Sequence, residues 1–478
     1  MCAVFGIVGS DSVNQKIYDA LLLMQHRGQD ATGIVTASEK KISMCRGVGL
    51  VRDVFRTRDM RNLTGEMGIG HCRYPTAGNA GNPEEVQPFY VNAPFGIVLG
   101  HNGNLTNAHF LQDEMYQIDR RHINTDSDSE VLLNVFANEL QKEISGTKID
   151  SNSVFCATES LYKRVEGAYA CVAMISGFGV VGFRDPFGIR PLVIGKKKSK
   201  NREEWAIASE SVALQGLGFD LVRDVKPGEC VVITKNGQIK TKICANQTSI
   251  NPCVFEFVYF ARPDSLIDGV SVYDARLKMG QALSEKVKDF CSKGNIDVVI
   301  PVPDSSRPAA LELALSLGIP YREGFIKNRY IGRTFIMPGQ ETRRRSVRQK
   351  LNAIGSEFYN KNVLIVDDSI VRGTTSRGII QMARDAGASK VSFASASPPV
   401  RFPNVYGIDM PTKRELIAHG RSEEEICRAI GADHLFFQEL NTMRSTILDF
   451  NRKLDGLEAS CFDGKYITKN LLIDSKIK

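Results

Sequence analysis

The sequence contains no run of apolar residues long enough to cross a membrane, which takes about 18 to 20 of them. Its first residues also lack the charged and then apolar pattern of a secretory signal. The formal net charge is only +7 in 478 residues, a modest value for this length. We therefore expect a cytoplasmic protein that binds neither membranes nor nucleic acid.

The eleven cysteines include no CxxC pair, and their odd number does not suit a disulfide framework. This pattern is typical of a protein from a reducing compartment. We also find no internal repeat and no low-complexity tract. A composition of 42% hydrophobic and 24% charged residues indicates a globular protein, and the length suits two or three domains.

The residue that directly follows the first Met is a cysteine, Cys2, in the segment MCAVFGIVG. Because a cysteine side chain is small, we expect processing to remove the Met and leave a thiol and a free α-amino group on one residue. A neutral amine can take the thiol proton directly or through one water, so nucleophile and base come together. A single cysteine here is also compatible with a buried structural thiol on a first strand. Other segments of the sequence are needed to choose between this interpretation and a catalytic nucleophile.

Three further segments supply the remaining chemistry of an amide hydrolase: QHRGQD, GHCRYPTAG, and HNGNLTN followed by SDSE. The Asn102 side chain and the Gly103 backbone N–H can stabilise an oxyanion. The planar guanidinium of Arg73 can bind a carboxylate, and Asp128 can bind an ammonium group. Each segment alone has a structural explanation, as a turn or a helix cap, but together they describe a glutamine site.

These segments resemble the class II glutamine amidotransferases, which are N-terminal-nucleophile hydrolases. The resemblance implies a four-layer αββα sandwich of α+β class in which Cys2 is the nucleophile and Asn102 and Gly103 form the oxyanion hole. Such a domain releases ammonia and is usually fused to a domain that consumes it. The resemblance also implies that glutamine is bound by Arg27, Arg73, Thr76 and Asp128.

A second pattern lies in KNVLIVDDSIVRGTTSRG. The apolar run 363–366 predicts a buried parallel strand that ends in Asp367 and Asp368. The small-residue loop and the helix that follow suit a phosphate, and the two carboxylates suit ribose hydroxyls or a divalent cation. No Gly-Lys-Ser/Thr follows, so the pattern is not a Walker A motif.

This second pattern is similar to the phosphoribosyl pyrophosphate signature of the type I phosphoribosyltransferases, which have an α/β parallel-sheet fold. The resemblance implies that Ser305, in PDSSRP, joins Asp367 and Asp368 around Mg²⁺. It also implies that phosphoribosyl pyrophosphate is bound by Asp367, Asp368, Arg372, Gly373, Thr374, Thr375, Ser376, Lys327 and Arg333.

The segment between these motifs, residues 325–352, is rich in Lys and Arg. Such charge can indicate a nucleic-acid surface, but no recognition motif or row of aromatic residues accompanies it. The resemblance implies instead a loop that closes over the substrate. Within it, residues 330–337 mix cationic and apolar side chains, and we expect Phe335 to line a dry passage for ammonia between the domains.

The two patterns occur together in the family of glutamine phosphoribosylpyrophosphate amidotransferases, which the chain closely resembles from Cys2 to about residue 440. The reaction implied converts 5-phosphoribosyl diphosphate, glutamine and water to 5-phosphoribosylamine, glutamate and diphosphate, the first committed step of purine synthesis. The family also implies inhibition by purine nucleotides and a homotetramer. We predict an amidotransferase domain at 1–245, a phosphoribosyltransferase domain at 250–440 and a helical tail at 441–478.

One branch of this family carries an iron–sulfur cluster held by four cysteines. Cys253 and Cys461 stand at two of those positions, but Asn404 and Glu458 stand at the other two. Two thiolates cannot hold a four-cysteine cluster. The sequence therefore predicts the cluster-free branch, with no propeptide.

Other functions are less consistent with the motifs. Glucosamine-6-phosphate synthase would share the first half but not VDDSIVRGTT, and an asparagine synthetase would need an SGGxDS motif, which is absent. A non-catalytic nucleotide sensor would be expected to have lost Cys2, Asn102 or the acidic pair. All of these residues are present.

Overall fold

The computed structural model of the chain describes residues 1–38, 41–74, 81–144, 146, 148–199, 202–328, 351–410 and 412–468. Its α-helices are α1 (Asn14–Leu23), α2 (Val51–Val54), α3 (Thr57–Asn62), α4 (Ala108–Gln117), α5 (Asp128–Glu143), α6 (Ser151–Arg164), α7 (Ser211–Gly216), α8 (Val272–Cys291), α9 (Arg307–Leu317), α10 (Gly355–Phe358), α11 (Thr374–Asp385), α12 (Glu423–Ile430), α13 (Leu440–Leu448) and α14 (Ser460–Asp463).

The strands alternate with these helices. They are β1 (Ala3–Val8), β2 (Ala31–Ser38), β3 (Lys41–Val48), β4 (Met67–Arg73), β5 (Phe89–Val91), β6 (Ile97–Leu105), β7 (Gly167–Ile175), β8 (Gly179–Arg184), β9 (Val193–Lys198), β10 (Glu203–Ala208), β11 (Asp220–Asp224), β12 (Glu229–Thr234), β13 (Ile239–Ile243), β14 (Leu266–Ile267), β15 (Val270–Ser271), β16 (Val298–Pro301), β17 (Phe325–Lys327), β18 (Leu351–Ala353), β19 (Asn362–Asp367), β20 (Lys390–Ser395) and β21 (His434–Phe437).

Two antiparallel sheets form the first half of the molecule. One has the order β11-β9-β10-β1-β4-β2-β3 and the other has the order β13-β12-β8-β7-β6-β5. Their facing surfaces share one apolar core, to which β1 contributes Val4 and Val8 and β7 contributes Val172. Gly6 allows this close approach, because a Cβ atom there would lie 2.4 Å from Val172 Cγ1.

Helices cover the outer face of each sheet. The core behind the first sheet contains Ile17 and Leu21 of α1 and Leu214 of α7. The core behind the second contains apolar residues of α4, α5 and α6, such as Leu132 and Leu161. The layers are thus helix, sheet, sheet and helix, and the predicted αββα sandwich is confirmed.

The second half contains a parallel sheet with the strand order β16-β19-β20-β21. The apolar sides of α8 and α9, with Leu283 and Leu313, pack on one face. On the other face lie α11 and α12, with Ile379 and Ile426. The predicted α/β domain is confirmed. The predicted strand at 363–366 is the middle of β19, buried on both sides as its apolar run requires.

The last part of the chain packs on the second half. Met443 and Ile447 of α13 share a core with Met279 of α8, as the helical spacing of these residues predicts. The tail contains α13 and α14 but is mostly non-helical between them. The domain boundaries at 245, 250 and 440 stay predictions. In the described residues no helix is both long and apolar enough to cross a membrane.

Candidate active site

Cys2 lies at the start of β1, a strand in the interior of the first sheet with β10 and β4 as neighbours. Its backbone N–H donates to Asn102 Oδ1 at 3.0 Å. The backbone N–H of Tyr74 donates to the Cys2 sulfur at 3.3 Å, and the thiol lies 3.5 Å from Tyr74 O. The residue is only 4% exposed, so its thiol has a fixed position at one end of the sandwich.

The proposed oxyanion donors lie on β6 of the opposite sheet. Asn102 Nδ2 is buried and has no acceptor among the described residues, so its N–H groups are available to a ligand. Gly103 has φ of +147°, and a Cβ atom there would lie 1.9 Å from Ala168 O. Only glycine fits this backbone. This requirement, and not a turn, explains the glycine in HNG.

Cys2, Arg73, Gly103 and Asp128 line one small pocket. Asp128, at the start of α5, accepts from the Leu105 backbone N–H at 3.0 Å through Oδ2. Sequence reasoning gave no role to several other residues of the lining, although three of them lie inside the quoted motifs HNGNLTN and SDSE and only Gln87 lies outside them. They are Gln87, His101, Ser127 and Ser129, and Tyr74 belongs to the lining as well.

Arg73 lines the pocket, and two buried carboxylates accept hydrogen bonds from its guanidinium. Nη1 donates to Asp30 Oδ2 at 3.1 Å and Nη2 donates to Glu85 Oε2 at 2.5 Å. These carboxylates fix the orientation of the guanidinium plane. Thr76, which the sequence also assigned to glutamine binding, lies outside the described residues.

Arg27, which the resemblance assigns to glutamine binding, contacts the Cys2 backbone and is not among the residues that line the pocket. Its Nε donates to Cys2 O at 3.0 Å, Nη1 donates to Glu210 at 2.5 Å and Nη2 donates to Glu256 at 2.7 Å. All three charged side chains are completely buried. In the structure Arg27 holds the Cys2 backbone, and its predicted contact with glutamine stays a prediction.

Glu256 belongs to the second half of the chain, in a π-helix at Glu256–Phe260. It is the only charged residue in the apolar stretch VFEFVYF. A single carboxylate among apolar residues indicates a buried ion pair, so the sequence could have predicted one here. Breaking one side of such a pair costs about 3–5 kcal/mol of unfolding free energy. A second ion pair, Arg184 Nη1 with Asp268 Oδ1 at 2.7 Å, also joins the two halves.

Burial is the largest cause of the pKa shifts of Cys2 and His71. It raises the pKa of the Cys2 thiol, and it lowers the pKa of His71, a completely buried residue, to about 3. His71 Nε2 lies 3.0 Å from His101 O, so the neutral ring with Nε2–H can donate this hydrogen bond.

The lowered pKa of His71 predicts acid sensitivity. The neutral ring stabilises the fold fully above the ordinary histidine pKa near 6.5, and this contribution falls as the pH drops toward 3. Between pH 6 and pH 4.5, wild type should lose about 2 kcal/mol more unfolding free energy than His71→Gln. Urea unfolding at the two pH values measures this. The exposed His419 provides the control substitution His419→Gln, and equal losses in wild type and His71→Gln would contradict the assignment.

The acceptor residues lie at the carboxyl end of β19. Asp367 ends this strand, and the next residue, Asp368, accepts from Ser305 Oγ at 2.5 Å and from Ser369 Oγ at 2.6 Å. Gly373 precedes α11 with φ of +73° beneath Ile417, and Thr374 is the first residue of that helix. The acidic pair, Ser305 and the helix N-terminus are thus brought to one edge of the sheet, as parallel strands require.

The two aspartates form no salt bridge with any described residue, and the Arg276 guanidinium only partly offsets the effect of burial on the pKa of Asp368. They are 7% and 8% exposed, and burial raises the pKa of both, with the Asp368 charge raising that of Asp367 further. A divalent cation would relieve this cost, so the donor set fits Mg²⁺. No three His, Cys, Asp or Glu side chains form a complete metal site in the described part of the chain.

Other predicted acceptor residues are held by ion pairs outside this cluster. Lys327 Nζ lies 3.0 Å from Asp304 Oδ2, and Arg372 Nε lies 3.1 Å from Glu415 Oε2. Thr375 is exposed and Ser376 is buried within α11. Arg333, Phe335 and the rest of the proposed closing loop lie outside the described residues.

Three of the four positions compared with iron–sulfur ligands, Cys253, Glu458 and Cys461, lie close to one another. Cys253 forms a β-bridge with Glu458, and Cys461 shares a core with Cys253. Asn404 Oδ1 accepts from the Tyr406 backbone N–H at 2.8 Å, and Glu458 Oε1 accepts from the Ser460 backbone N–H at 2.8 Å. The two residues that replace cysteines thus hold local turns. The absence of a cluster stays a prediction.

Comparison with known proteins decides the family. A glutamine amidotransferase domain model matches residues 77–216, and a phosphoribosyl transferase domain model matches residues 271–397. The amidophosphoribosyltransferases of Pseudomonas aeruginosa and Escherichia coli are each 57% identical to the chain, over 470 and 473 residues, and in both cases the match covers 98% of this chain and 93% of the relative. The chain belongs to the amidophosphoribosyltransferase family.

A solved structure agrees with this assignment along the whole chain. It is a glutamine phosphoribosylpyrophosphate amidotransferase from Bacillus subtilis complexed with ADP and GMP, 38% identical, with a TM-score of 0.85 and 98% coverage of both chains. The predicted enzyme class, a glutamine-dependent amidophosphoribosyltransferase of purine biosynthesis, is therefore confirmed. The roles of individual residues remain proposals.

Proposed function

We propose that this amidophosphoribosyltransferase uses Cys2 to release ammonia from glutamine and uses the loop after β19 to pass it to phosphoribosyl diphosphate. The observation that carries this proposal is the position of Cys2, whose backbone nitrogen already lies 3.0 Å from Asn102 Oδ1. Removal of Met1 would turn that nitrogen into the free amine that an N-terminal nucleophile needs.

In the glutamine reaction, Arg73 binds the substrate carboxylate and Asp128 binds its ammonium group. The Cys2 amine takes the thiol proton, and the sulfur attacks the carboxamide carbon. Asn102 Nδ2 and the Gly103 N–H stabilise the oxyanion that forms. The protonated Cys2 amine gives its proton to the leaving nitrogen, so collapse of the intermediate breaks the C–N bond, releases ammonia and leaves a thioester. Water then hydrolyses the thioester to glutamate and restores the Cys2 thiol.

In the acceptor reaction, the N-terminus of α11 and the hydroxyls of Thr374 and Thr375 bind the 5-phosphate. Asp367 and Asp368 bind the ribose hydroxyls. Mg²⁺, held by these carboxylates, Ser305 and substrate oxygens, would balance the charge of the diphosphate. Ammonia attacks C1 of the ribose, the C1–O bond to diphosphate breaks, and the amine loses a proton to give phosphoribosylamine.

Three further features belong to the proposal. Ammonia passes between the domains without release. Purine nucleotides inhibit the enzyme, as the ADP and GMP bound in the Bacillus subtilis relative suggest. The working form is a cytoplasmic homotetramer, which gel filtration with light scattering would test.

The deciding experiment is an assay of diphosphate and glutamate release. We expect both products only when glutamine, phosphoribosyl diphosphate and Mg²⁺ are all present, in a ratio close to one. Removal of Mg²⁺ with EDTA should stop diphosphate release with either glutamine or ammonia, while slow glutamate release continues. Diphosphate release that is unaffected by EDTA would contradict the role of the acidic pair.

The turns at Asn404 and Glu458 lead to a prediction about metal content. Protein purified under anaerobic conditions should be colourless and contain far less than one iron atom per chain, because two thiolates cannot hold a four-cysteine cluster. Iron and acid-labile sulfide analysis with an absorbance spectrum measures this. Stoichiometric iron and sulfide with a brown absorbance band would contradict the cluster-free assignment.

A further inference from the structure

A pocket of about 350 Å³ lies beside α11, and its lining does not include the acidic pair. Four separate parts of the second half contribute to it: the loop and first turn of α11, the 3₁₀ helix Lys413–Glu415, the segment that follows it, and the end of α12. We call it the arginine pocket because four of its lining residues are arginines: Arg372, Arg377, Arg414 and Arg421.

The charges of the arginine pocket do not balance. Its single carboxylate, Glu415, pairs with Arg372 at 3.1 Å. Arg414 makes no hydrogen bond or ion pair with any described residue. Arg421 donates to Ile417 O at 2.9 Å, and Arg377 donates to Ala429 O at 2.8 Å. These carbonyl groups hold two guanidinium groups in place without neutralising them.

Exposed arginines usually spread over a surface, because like charges repel when they approach one another. Here four converge on one concavity, and the N-terminal residue of α11, Thr374, also lines it. The positive end of the helix dipole adds to the positive electrostatic potential that the arginines create in the pocket. A convergent set of planar guanidinium groups, three of which are held by other groups, is an arrangement that suits phosphate oxygens.

We propose that the arginine pocket binds an anion of the phosphate class. Its volume exceeds that of one phosphate group, so it can also accept a diphosphate or the phosphoryl end of an organic ester. Because Arg372 also belongs to the loop assigned to phosphoribosyl diphosphate, an anion in the pocket would compete with Glu415 for this guanidinium. The pocket is therefore connected to the substrate loop but separate from the reacting atoms.

The first test is calorimetric titration of the full chain with inorganic diphosphate at low ionic strength. Wild type should bind at two sites, in the substrate loop and in the arginine pocket. The double variant Arg414→Ala/Arg421→Ala should lose one site or bind there about tenfold more weakly, while ammonia-dependent synthesis stays near wild type. Arg322→Ala, an exposed arginine of the same half, provides the control. Unchanged binding in the double variant would overturn the proposal.

The second test locates the anion and separates its possible sources. Crystals of wild type soaked in tungstate should show anomalous density in contact with Arg414 and Arg421, and crystals of the double variant should not. Density only in the substrate loop, or an adventitious ion only on other surfaces, would count against the site. Titration with ribose 5-phosphate tests the ester source: tighter binding than inorganic phosphate, lost in the double variant, indicates an organic phosphate, and weaker binding indicates the free anion.

Discussion

Replacement of Cys2 by alanine should lower glutamine-dependent synthesis by about three orders of magnitude or more and leave ammonia-dependent synthesis near the wild-type rate. The reason is the separation of the two sites. The thiol lies directly before β1 in the αββα sandwich, whereas the acidic pair lies at the edge of the parallel sheet. Parallel assays with glutamine and with ammonium chloride measure the effect.

The matched control is Cys45→Ala, a thiol on β3 that does not line the pocket. It should keep both activities. Extra residues placed before Cys2 should mimic Cys2→Ala, because they remove the free amine while the thiol remains. Loss of both activities in a folded Cys2→Ala protein, shown by an unchanged circular dichroism spectrum, would refute the model of two sites.

Asp367→Asn and Asp368→Asn should each reduce synthesis by about a hundredfold or more with either nitrogen source, while basal glutamate release survives. Both carboxylates are buried at the edge of the sheet, and their charge has no protein cation within hydrogen-bonding distance among the described residues. The substitutions keep size and shape but remove the charge that Mg²⁺ and the ribose would meet.

Asp297→Asn offers a control at the opposite end of β19. Asp297 directly precedes the neighbouring strand β16 and accepts from the Asn362 backbone N–H at 2.7 Å. It should leave the rate of ammonia-dependent synthesis close to that of wild type. Normal ammonia-dependent turnover in both Asp367→Asn and Asp368→Asn would eliminate the acidic pair from the mechanism.

The fold was predictable from local patterns and from resemblance. The apolar run before Asp367 is a parallel strand, and Cys2 starts a strand, as a nucleophile at the chain terminus requires. Some residues that line the pocket at Cys2 were predictable from their motifs, as for Arg73, Gly103 and Asp128.

Long-range pairing was not predictable in the same way. Arg27 is in a segment that the resemblance assigned to glutamine, but its partners, Glu210 and Glu256, are 183 and 229 residues away. No local pattern connects an arginine with acids at such distances. Lys327 was assigned to substrate for its charge, and in the structure it pairs with Asp304.

The ion pair between Arg27 and Glu256 has a consequence for how this enzyme can be divided. Arg27 donates to the backbone carbonyl of Cys2. One of the two carboxylates that pair with it, Glu256, belongs to the second half of the chain. A fragment that ends at residue 245 would keep the whole sandwich and lose Glu256, and with it the counter-charge beneath Cys2. We therefore expect that the amidotransferase half cannot be transferred to another protein by itself. The second half supplies a carboxylate that helps to hold the nucleophile in place.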